Sequence, residues 1–260
     1  MIVIKTIKEW IRRVKEFPKL EIENSSLKEV LLAAEQVELL EKYENSPDVY
    51  DSEYWDNKWK QSTVWYNAPK RKKVTSYVKY KKSEHIKSIA DSINGLHQDP
   101  DGIVLEILEW LESQFKSGKF KYKLDKGETW TQPSELLERG YGDCDDYGIL
   151  EYNVIRQKFL DLGMWEIVKH RLKCVAGNVN RRGSIPSGAG GHFYLMWLAE
   201  DGEWYCVEST YYRKNAIVNW LKLPQKLNPM YGTIWFTFNE SKSWSQNSLT
   251  VSKKDFKKNG

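Results

Sequence analysis

The sequence predicts an α+β protein, in which helical segments are followed by the strands of an antiparallel sheet. A helical pattern begins at Cys144, where apolar or small residues recur every three or four positions up to residue 162. After Gly163 several strand-like segments follow one another, and Asp201-Gly202 is a hairpin turn signal between two of them. Helices followed by a run of consecutive strands are typical of the α+β class.

The composition fits one large globular domain, or one domain with an added segment. The chain has 260 residues, of which 29% are charged and 40% hydrophobic. The net charge is only +4, because 40 lysines and arginines nearly balance 36 acidic residues, so nucleic-acid binding is not indicated. The 12 tryptophans and 15 tyrosines could thicken a core or line a binding cleft, and composition leaves both interpretations open.

The N-terminal apolar run is too short for a signal peptide and lacks a small-residue cleavage site. No stretch approaches the roughly 20 apolar residues of a membrane span. We therefore expect no membrane partner. The expected location is the cytoplasm, or a virion if the chain is phage-encoded.

Residues 1–83 are predicted to form a helical, aromatic-rich N-terminal extension. Residues 4–17 have an amphipathic helical pattern, and a capping box at residues 26–29 opens a second helix that continues to residue 42. Two basic runs, residues 70–73 and 79–82, lie among aromatic residues. We interpret them as a solvated face. The alternative is a surface for nucleic acid or an acidic partner.

Residues 84–240 are predicted to form the main domain, and residues 241–260 a polar, basic tail that need not be ordered. A helix from about Asp101 is stopped by Gly118, and a short strand-like piece follows at residues 120–124. A second helix is predicted over residues 133–139, with proline at its start and Gly140 as its stop.

The strands are predicted from the apolar runs after Gly163, and a glycine-rich loop at residues 180–191 separates the first two of them. The predicted strands are residues 167–179, 191–198, 204–209 and 233–238. A tight two-residue turn at Asp201-Gly202 sets Glu208 opposite Leu195, so a bulge or a longer turn is needed to bring Glu208 to His192. The loop is interpreted either as a substrate gate or as a plain connection.

Cys144 is the candidate nucleophile, because it lies in the first turn of its predicted helix. Helix N-termini stabilise anions and lower the pKa of a thiol. Asp143 can cap this helix, but the carboxylates of Asp145 and Asp146 oppose ionisation of the thiol. The position therefore needs a histidine partner to become reactive. The alternative is a small buried cysteine without chemistry.

The three cysteines do not form a disulfide framework. Cys174 and Cys206 fall in strand-like runs, where we interpret them as free core thiols, with a bridge between them as the alternative. Paired cysteine and histidine spacings are lacking, so we expect neither a metal site nor a cofactor.

His192 is the candidate base among the four histidines. It follows the glycine-rich loop and opens the most apolar strand, and Glu208 lies on the next strand. The hypothesis is a nucleophile, a base and an orienting acid formed by Cys144, His192 and Glu208. His85 and His97 are predicted to be surface residues, and His170 to be solvent-facing or locally paired.

Three motifs carry a resemblance to a known family: GDCDDY at residues 142–147, GHFY at residues 191–194 and WYCVEST at residues 204–210. The chain resembles the transglutaminase-like cysteine-enzyme superfamily, most of all its bacterial and phage cysteine proteinases, over roughly residues 103–238. The resemblance implies a papain-like core, with the cysteine helix packed on an antiparallel sheet. It also implies a triad of Cys144, His192 and Glu208, in which Glu stands where the family usually has Asp.

The activity that this resemblance implies is acyl transfer through a thioester, by a cysteine peptidase or amidase acting on a protein or peptide. A transglutaminase that cross-links glutamine side chains is the alternative on the same site, and a non-catalytic phage structural or binding protein is the alternative from another class. The oxyanion donors are expected from the Cys144 backbone and the side chains of Gln132 and Trp130. A packing role for Trp130 is equally compatible with its position.

Overall fold

An antiparallel sheet of five strands is the centre of the computed structural model. The structure describes residues 53–59, 61–67, 70–93, 95, 97–124, 129–179, 190–210, 225–227, 231–245 and 250–251. The helices are α1 (Glu53–Lys58), α2 (Glu84–Ser92), α3 (Pro100–Lys116), α4 (Pro133–Arg139), α5 (Cys144–Asp161) and α6 (Trp165–Val168). The strands are β1 (Trp65–Asn67), β2 (Arg71–Lys73), β3 (Lys121–Tyr122), β4 (Tyr141–Gly142), β5 (Leu172–Val179), β6 (Gly190–Leu198), β7 (Trp204–Val207), β8 (Tyr231–Phe238), β9 (Ser243–Ser245) and β10 (Thr250–Val251).

The five strands of the large sheet lie in the order β7-β6-β5-β8-β9, and each neighbouring pair is antiparallel. β6 is an interior strand that pairs with β5 from Gly190, opposite Val179, to Trp197, opposite Leu172. Residues on both faces of β6 are buried. Burial on two faces explains why the sequence of β6 is a continuous apolar run and does not alternate with polar residues.

The helix α5 packs against β5 and β6 on one face of the sheet. Near its start, Gly148 lies so close to β6 that an added Cβ would stand 2.4 Å from Cε1 of Phe193. Towards its other end, the rings of Phe159 and Trp197 stack with centroids 5.7 Å apart. α5 therefore lies along β6, with Cys144 at the end that is nearest the start of the strand.

The opposite face of the sheet carries a second apolar cluster, to which α1 contributes. Trp55 and Trp59 pack there with residues of the sheet that include Tyr194, Met196 and Trp244. Alternate side chains of a strand point to opposite faces, so the residues of β6 divide between this cluster and the α5 face. Both layers are needed to exclude water from the sheet.

Two parts of the chain differ from their predicted structure. Residues 243–245, which the sequence assigns to the polar tail, form β9, and Trp244 is fully buried and donates to Asp56 Oδ1 at 2.5 Å. These residues of the predicted tail therefore belong to the sheet, because burial of one large aromatic side chain offsets the cost of ordering a short polar segment. Within residues 53–83, which are predicted to be helical, the structure has the strands β1 and β2 as well as α1.

The predicted division at residues 83 and 240 stays a prediction; the described residues belong to the unit Asp48–Gly260. The helices predicted over residues 4–17 and 26–42 lie outside the described residues, as do residues 180–189 of the glycine-rich loop.

The strand predicted over residues 167–179 is shorter than expected. Its first part is helical, because α6 and a 3-10 turn at Lys169–Arg171 precede β5. Trp165 and Val168 are buried at a spacing of three residues, which suits a helical turn and not the alternation of a strand.

The helices before the cysteine agree with the sequence. Asp99 caps α3 by accepting from the backbone N–H of Gly102 at 2.7 Å, and Gly140 ends α4 with a φ of 69°. The mixed helix-and-sheet class and its antiparallel sheet are therefore confirmed. Among the described residues, the helices are all too short or too polar to cross a membrane.

Candidate active site

The candidate nucleophile begins α5, directly after a turn that the sequence determines locally. Gly140 takes the left-handed conformation at the end of α4, β4 follows, and Asp143 is the N-cap of α5. Asp143 and Asp146 form a capping box, in which the Asp143 backbone N–H donates to Asp146 Oδ2 at 3.3 Å. The predicted cap is confirmed, and it fixes Cys144 as the first residue of the helix.

Asp146 joins this helix start to the segment that precedes α4. Its Oδ1 accepts from the backbone N–H of Thr131 at 2.9 Å, and its Oδ2 accepts a short hydrogen bond from Arg139. Burial raises the pKa of Asp146 to about 6, although these hydrogen bonds and the arginine oppose the shift. The carboxyl thereby links Thr131, which lies between Trp130 and Gln132, to the first turn of α5.

The surroundings of Cys144 favour the neutral thiol over the thiolate. Burial raises the pKa of Cys144 well above its usual value, and the carboxyl groups of Asp145 and Asp143 raise it further. A hydrogen bond from the Phe193 backbone acts in the opposite direction. The helix N-terminus alone therefore does not activate this sulfur, as the aspartate-rich sequence led us to expect.

His192 and Glu208 form a buried pair. The Nε2 atom of His192 lies 3.0 Å from Oε2 and 3.2 Å from Oε1 of Glu208. Only 1% of His192 and 6% of Glu208 is exposed to solvent. Burial works against ionisation of Glu208, but the nearby His192 and the hydrogen bonds from His192, Tyr231 and Thr210 outweigh it and lower the pKa of the carboxyl. Glu208 is therefore held as a carboxylate next to the imidazole.

The register of the hairpin differs by one residue from the predicted register. Leu195 lies opposite Val207, so Glu208 follows opposite Tyr194 and not opposite Leu195. The turn is longer than two residues, since the Ala199 N–H donates to Glu203 O at 2.9 Å and closes a loop around Asp201. A shift of one residue exchanges the two faces of a strand. In the observed register Glu208 lies on the same face of the sheet as His192. The β6 residue opposite Glu208, Tyr194, is two positions along the strand from His192.

Two of the three candidate residues, His192 and Glu208, meet at the end of β7. β7 pairs with Leu195 to Leu198, whereas β6 continues back to Gly190. Glu208 lies just beyond this end of β7 and binds His192. Cys144 meets the same stretch of β6 through the Phe193 backbone, one residue from His192. An imidazole held by a carboxylate can act as a base towards a nucleophile, and the thiol contacts the neighbouring residue of the same strand.

The two candidate oxyanion donors lie in different surroundings. Trp130 is buried among aromatic rings: it stacks on Tyr66 at 4.4 Å and meets Phe193 edge-on at 5.3 Å. Gln132 precedes α4, and its Oε1 accepts from Lys81 Nζ at 3.3 Å. Trp130 thus has the packing role that the sequence left open, and it also borders the strand that carries His192.

The other cysteines and two of the other histidines lie where the sequence predicts. Cys174 and Cys206 are free and buried, whereas Cys144 is half-buried. His85 and His97 are exposed.

One group of possible metal ligands is found among the described residues. It consists of Asp143, Cys144 and Asp145, whose ligand atoms lie within 4.8 Å of one another. Burial and the Asp143 carboxyl raise the pKa of Asp145 well above its usual value, which disfavours the charged form that a cation requires. The set also mixes one soft thiolate with two hard carboxylates.

Three contacts of the site were not apparent from the sequence. The Tyr231 hydroxyl donates to Glu208 Oε2 at 2.7 Å, and Ser209 donates a short hydrogen bond to the buried carboxyl of Glu151. Tyr66 is buried, and this burial raises the pKa of its hydroxyl, with smaller contributions in the same direction from Asp145 and Cys144 nearby. The contact of Thr210 with Glu208 could have been predicted from the sequence, because a threonine two residues after an acidic residue can donate a hydrogen bond back to its carboxylate.

No family model and no curated protein matches the chain. A crystal structure of a protein from Cytophaga hutchinsonii, named "Putative Cysteine Protease", is similar with a TM-score of 0.37 and 12% sequence identity. The match covers 68% of this chain, and the chain spans 57% of the length of that protein.

Proposed function

We propose that this chain is a thiol-dependent acyl-transfer enzyme, a cysteine peptidase or amidase that acts on a protein or peptide. The observation that carries the proposal is the buried contact of His192 Nε2 with Glu208 at 3.0 Å, beside the strand residue whose backbone binds the Cys144 thiol. We further propose that the chain is a distant member of the transglutaminase-like superfamily with a papain-like core. The three motifs and the packing of α5 on the antiparallel sheet support that proposal.

In the proposed reaction, the Cys144 thiol gives its proton to His192 as the sulfur attacks the carbonyl carbon of an amide. Glu208 binds Nε2, so the proton would be accepted at Nδ1. The resulting imidazolium donates a proton to the leaving amine as the C–N bond breaks, and a thioester remains on Cys144. Water then attacks the thioester carbon and gives a proton to His192. As the C–S bond breaks, His192 returns this proton to the Cys144 sulfur, and the carboxylic acid is released.

The thiol could attack either as a preformed thiolate or with its proton removed by His192 during the attack, and its surroundings favour the second form. Since burial and two carboxyl groups raise the pKa of Cys144, a preformed thiolate is not favoured. His192 would therefore act as a general base during the attack, and Glu208 would stabilise the imidazolium that forms. The backbone N–H of Cys144 and the side chains of Gln132 and Trp130 remain the proposed oxyanion donors.

The reactivity of the thiol tests this proposal without knowledge of the substrate. Alkylation of Cys144 by iodoacetamide at pH 7, followed by mass spectrometry, should be at least about tenfold faster in the wild type than in His192→Ala, because an unassisted thiol is only a few per cent ionised at this pH. The exposed His97→Ala is the matched control and should leave the rate unchanged. Equal rates in all three proteins would contradict the proposal.

A second experiment separates hydrolysis from cross-linking. Casein is incubated with the protein and a fluorescent primary amine. Release of soluble fragments indicates a peptidase, whereas incorporation of the amine into casein indicates a transglutaminase. Both products depend on the same thioester, so His192→Ala should abolish either one.

A further inference from the structure

Glu208 is surrounded by donors that come from three separate parts of the chain. Its Oε2 accepts from the Tyr231 hydroxyl at 2.7 Å, and its Oε1 accepts from the backbone N–H of Thr210 at 2.9 Å and the Thr210 hydroxyl at 3.1 Å. His192 Nε2 contacts both oxygens. A carboxylate has about four lone-pair sites, so these donors nearly saturate it.

The side chain of Glu208 needs such restraints because it must reach along β6. In the observed register it lies opposite Tyr194, and diagonal neighbours on adjacent strands stand about 7–8 Å apart. Glutamate can span that distance but has one more rotatable bond than aspartate. A hydrogen bond on each oxygen removes the freedom that the longer side chain adds.

Tyr231 is well placed to supply one of these restraints. It begins β8, opposite Val179 at the end of β5, and its ring lies against Tyr194 with centroids 4.7 Å apart. Only 8% of Tyr231 is exposed. The phenol therefore reaches Glu208 from a strand that carries none of the three candidate catalytic residues, and packing on Tyr194 fixes its direction.

We propose that Tyr231, together with Thr210, is a positioning residue that holds the Glu208 carboxylate in the orientation needed to direct His192. The proposal rests on the proposed function. A buried carboxylate is costly unless its oxygens are hydrogen-bonded, so these donors also keep Glu208 ionised beside the imidazole. Neither residue touches the reacting atoms; both act through Glu208.

Tyr231→Phe tests this inference, because it removes one hydroxyl and keeps the ring. The rate of Cys144 alkylation by iodoacetamide is measured between pH 4 and 9. We expect the rate at the plateau to fall about tenfold, as is typical for loss of a hydrogen bond to a charged group. The acidic limb should move to higher pH, because Glu208 loses a donor that favours its charged form.

Tyr205→Phe is the matched control. Its hydroxyl donates to the Asp201 carboxylate at 2.6 Å, outside the site, so the same substitution removes the same kind of hydrogen bond and should leave the profile unchanged. In a Glu208→Gln background, Tyr231→Phe should cause no further loss, because its route to His192 is already removed. Thr210→Val, which loses one hydroxyl donor, should shift the acidic limb in the same direction by less, and it serves as the test if Tyr231→Phe does not fold.

The outcomes separate this inference from the proposed function. If the wild type reacts no faster than His192→Ala, both are overturned. If the wild type does react faster, but the profile of Tyr231→Phe matches that of Tyr205→Phe, only the positioning role is overturned. The positioning role would also be overturned if Tyr231→Phe lowered the alkylation rate by the same factor in the Glu208→Gln background as in the wild type. Tyr231 would then act independently of Glu208.

Discussion

Gly148→Ala should displace the nucleophile helix without unfolding the protein. An added Cβ would stand 2.4 Å from Cε1 and 2.5 Å from Cδ1 of Phe193, whereas ordinary contacts begin at 3.4 Å, so helix and ring must separate by about 1 Å. Gly148 lies one helical turn after Cys144, on the same face of α5. The displacement is therefore passed to the sulfur, and a misplacement of this size can cost about 10²-fold in rate.

The cost in stability should be small by comparison. Overpacking a core costs about 1–3 kcal/mol, but alanine is favoured over glycine inside a helix by about 1 kcal/mol. The unfolding free energy, measured with urea, should therefore fall by no more than about 2 kcal/mol. The rate of Cys144 alkylation at pH 7 should fall at least tenfold, to the level of His192→Ala.

Phe193→Leu provides the test of cause. Leucine lacks the ring atoms that meet the new methyl group, so the double variant should regain most of the alkylation rate that Gly148→Ala loses. A wild-type rate in Gly148→Ala would refute the reasoning, because it would mean that the helix can move without moving the sulfur. So would a double variant that folds but stays as slow as the single one.

Three further predictions concern the site and the core. Glu208→Gln should lower the rate of Cys144 alkylation at least about tenfold at pH 7, because a neutral amide does not stabilise an imidazolium; an unchanged rate would exclude an orienting role. Burial raises the pKa of Glu151 from 4.5 to about 8, so the folded state retains a proton that the unfolded state loses, and stability should fall as pH rises between these values. Urea unfolding should show that Glu151→Gln removes this slope, which is at most about 1.4 kcal/mol per pH unit; an equal slope in the variant would place the titration elsewhere. Trp244→Ala should cost about 3–5 kcal/mol in the same measurement, and a loss under 1 kcal/mol would show that residues 243–245 are not part of the core.

The start of the nucleophile helix could be predicted because its causes are local. The proline and glycine that bound α4, and the capping box of Asp143 and Asp146, act within a few residues of Cys144. The same holds for the central strand, whose continuous apolar run reflects burial on both faces. The α+β class follows from such segments, because the spacing of apolar residues in the sequence distinguishes the helices from the strands.

The pairing of His192 with Glu208 could be predicted only in part. The hairpin signal at Asp201-Gly202 placed the two strands side by side, but a tight turn there puts Glu208 opposite Leu195 and on the wrong face. The sequence did not show whether a bulge or a longer turn makes up the difference. The observed turn is closed by the hydrogen bond from Ala199 to Glu203, which moves the register by one residue. A turn signal gives the position of a hairpin more reliably than its exact length, and one residue is enough to exchange the faces.

Local sequence signals were enough to predict the helix that begins at Cys144, the central strand that carries His192 and the kind of side chain available at each position. Three contacts became known only from the folded chain: Tyr231 donates to Glu208, Phe193 packs against Gly148, and Trp244 is buried in the cluster on the face of the sheet opposite α5. The physical reason is that capping and periodicity depend on chain neighbours, whereas these contacts join distant residues. They form because buried polar groups must find donors and buried surfaces must be filled, wherever in the chain the partners lie.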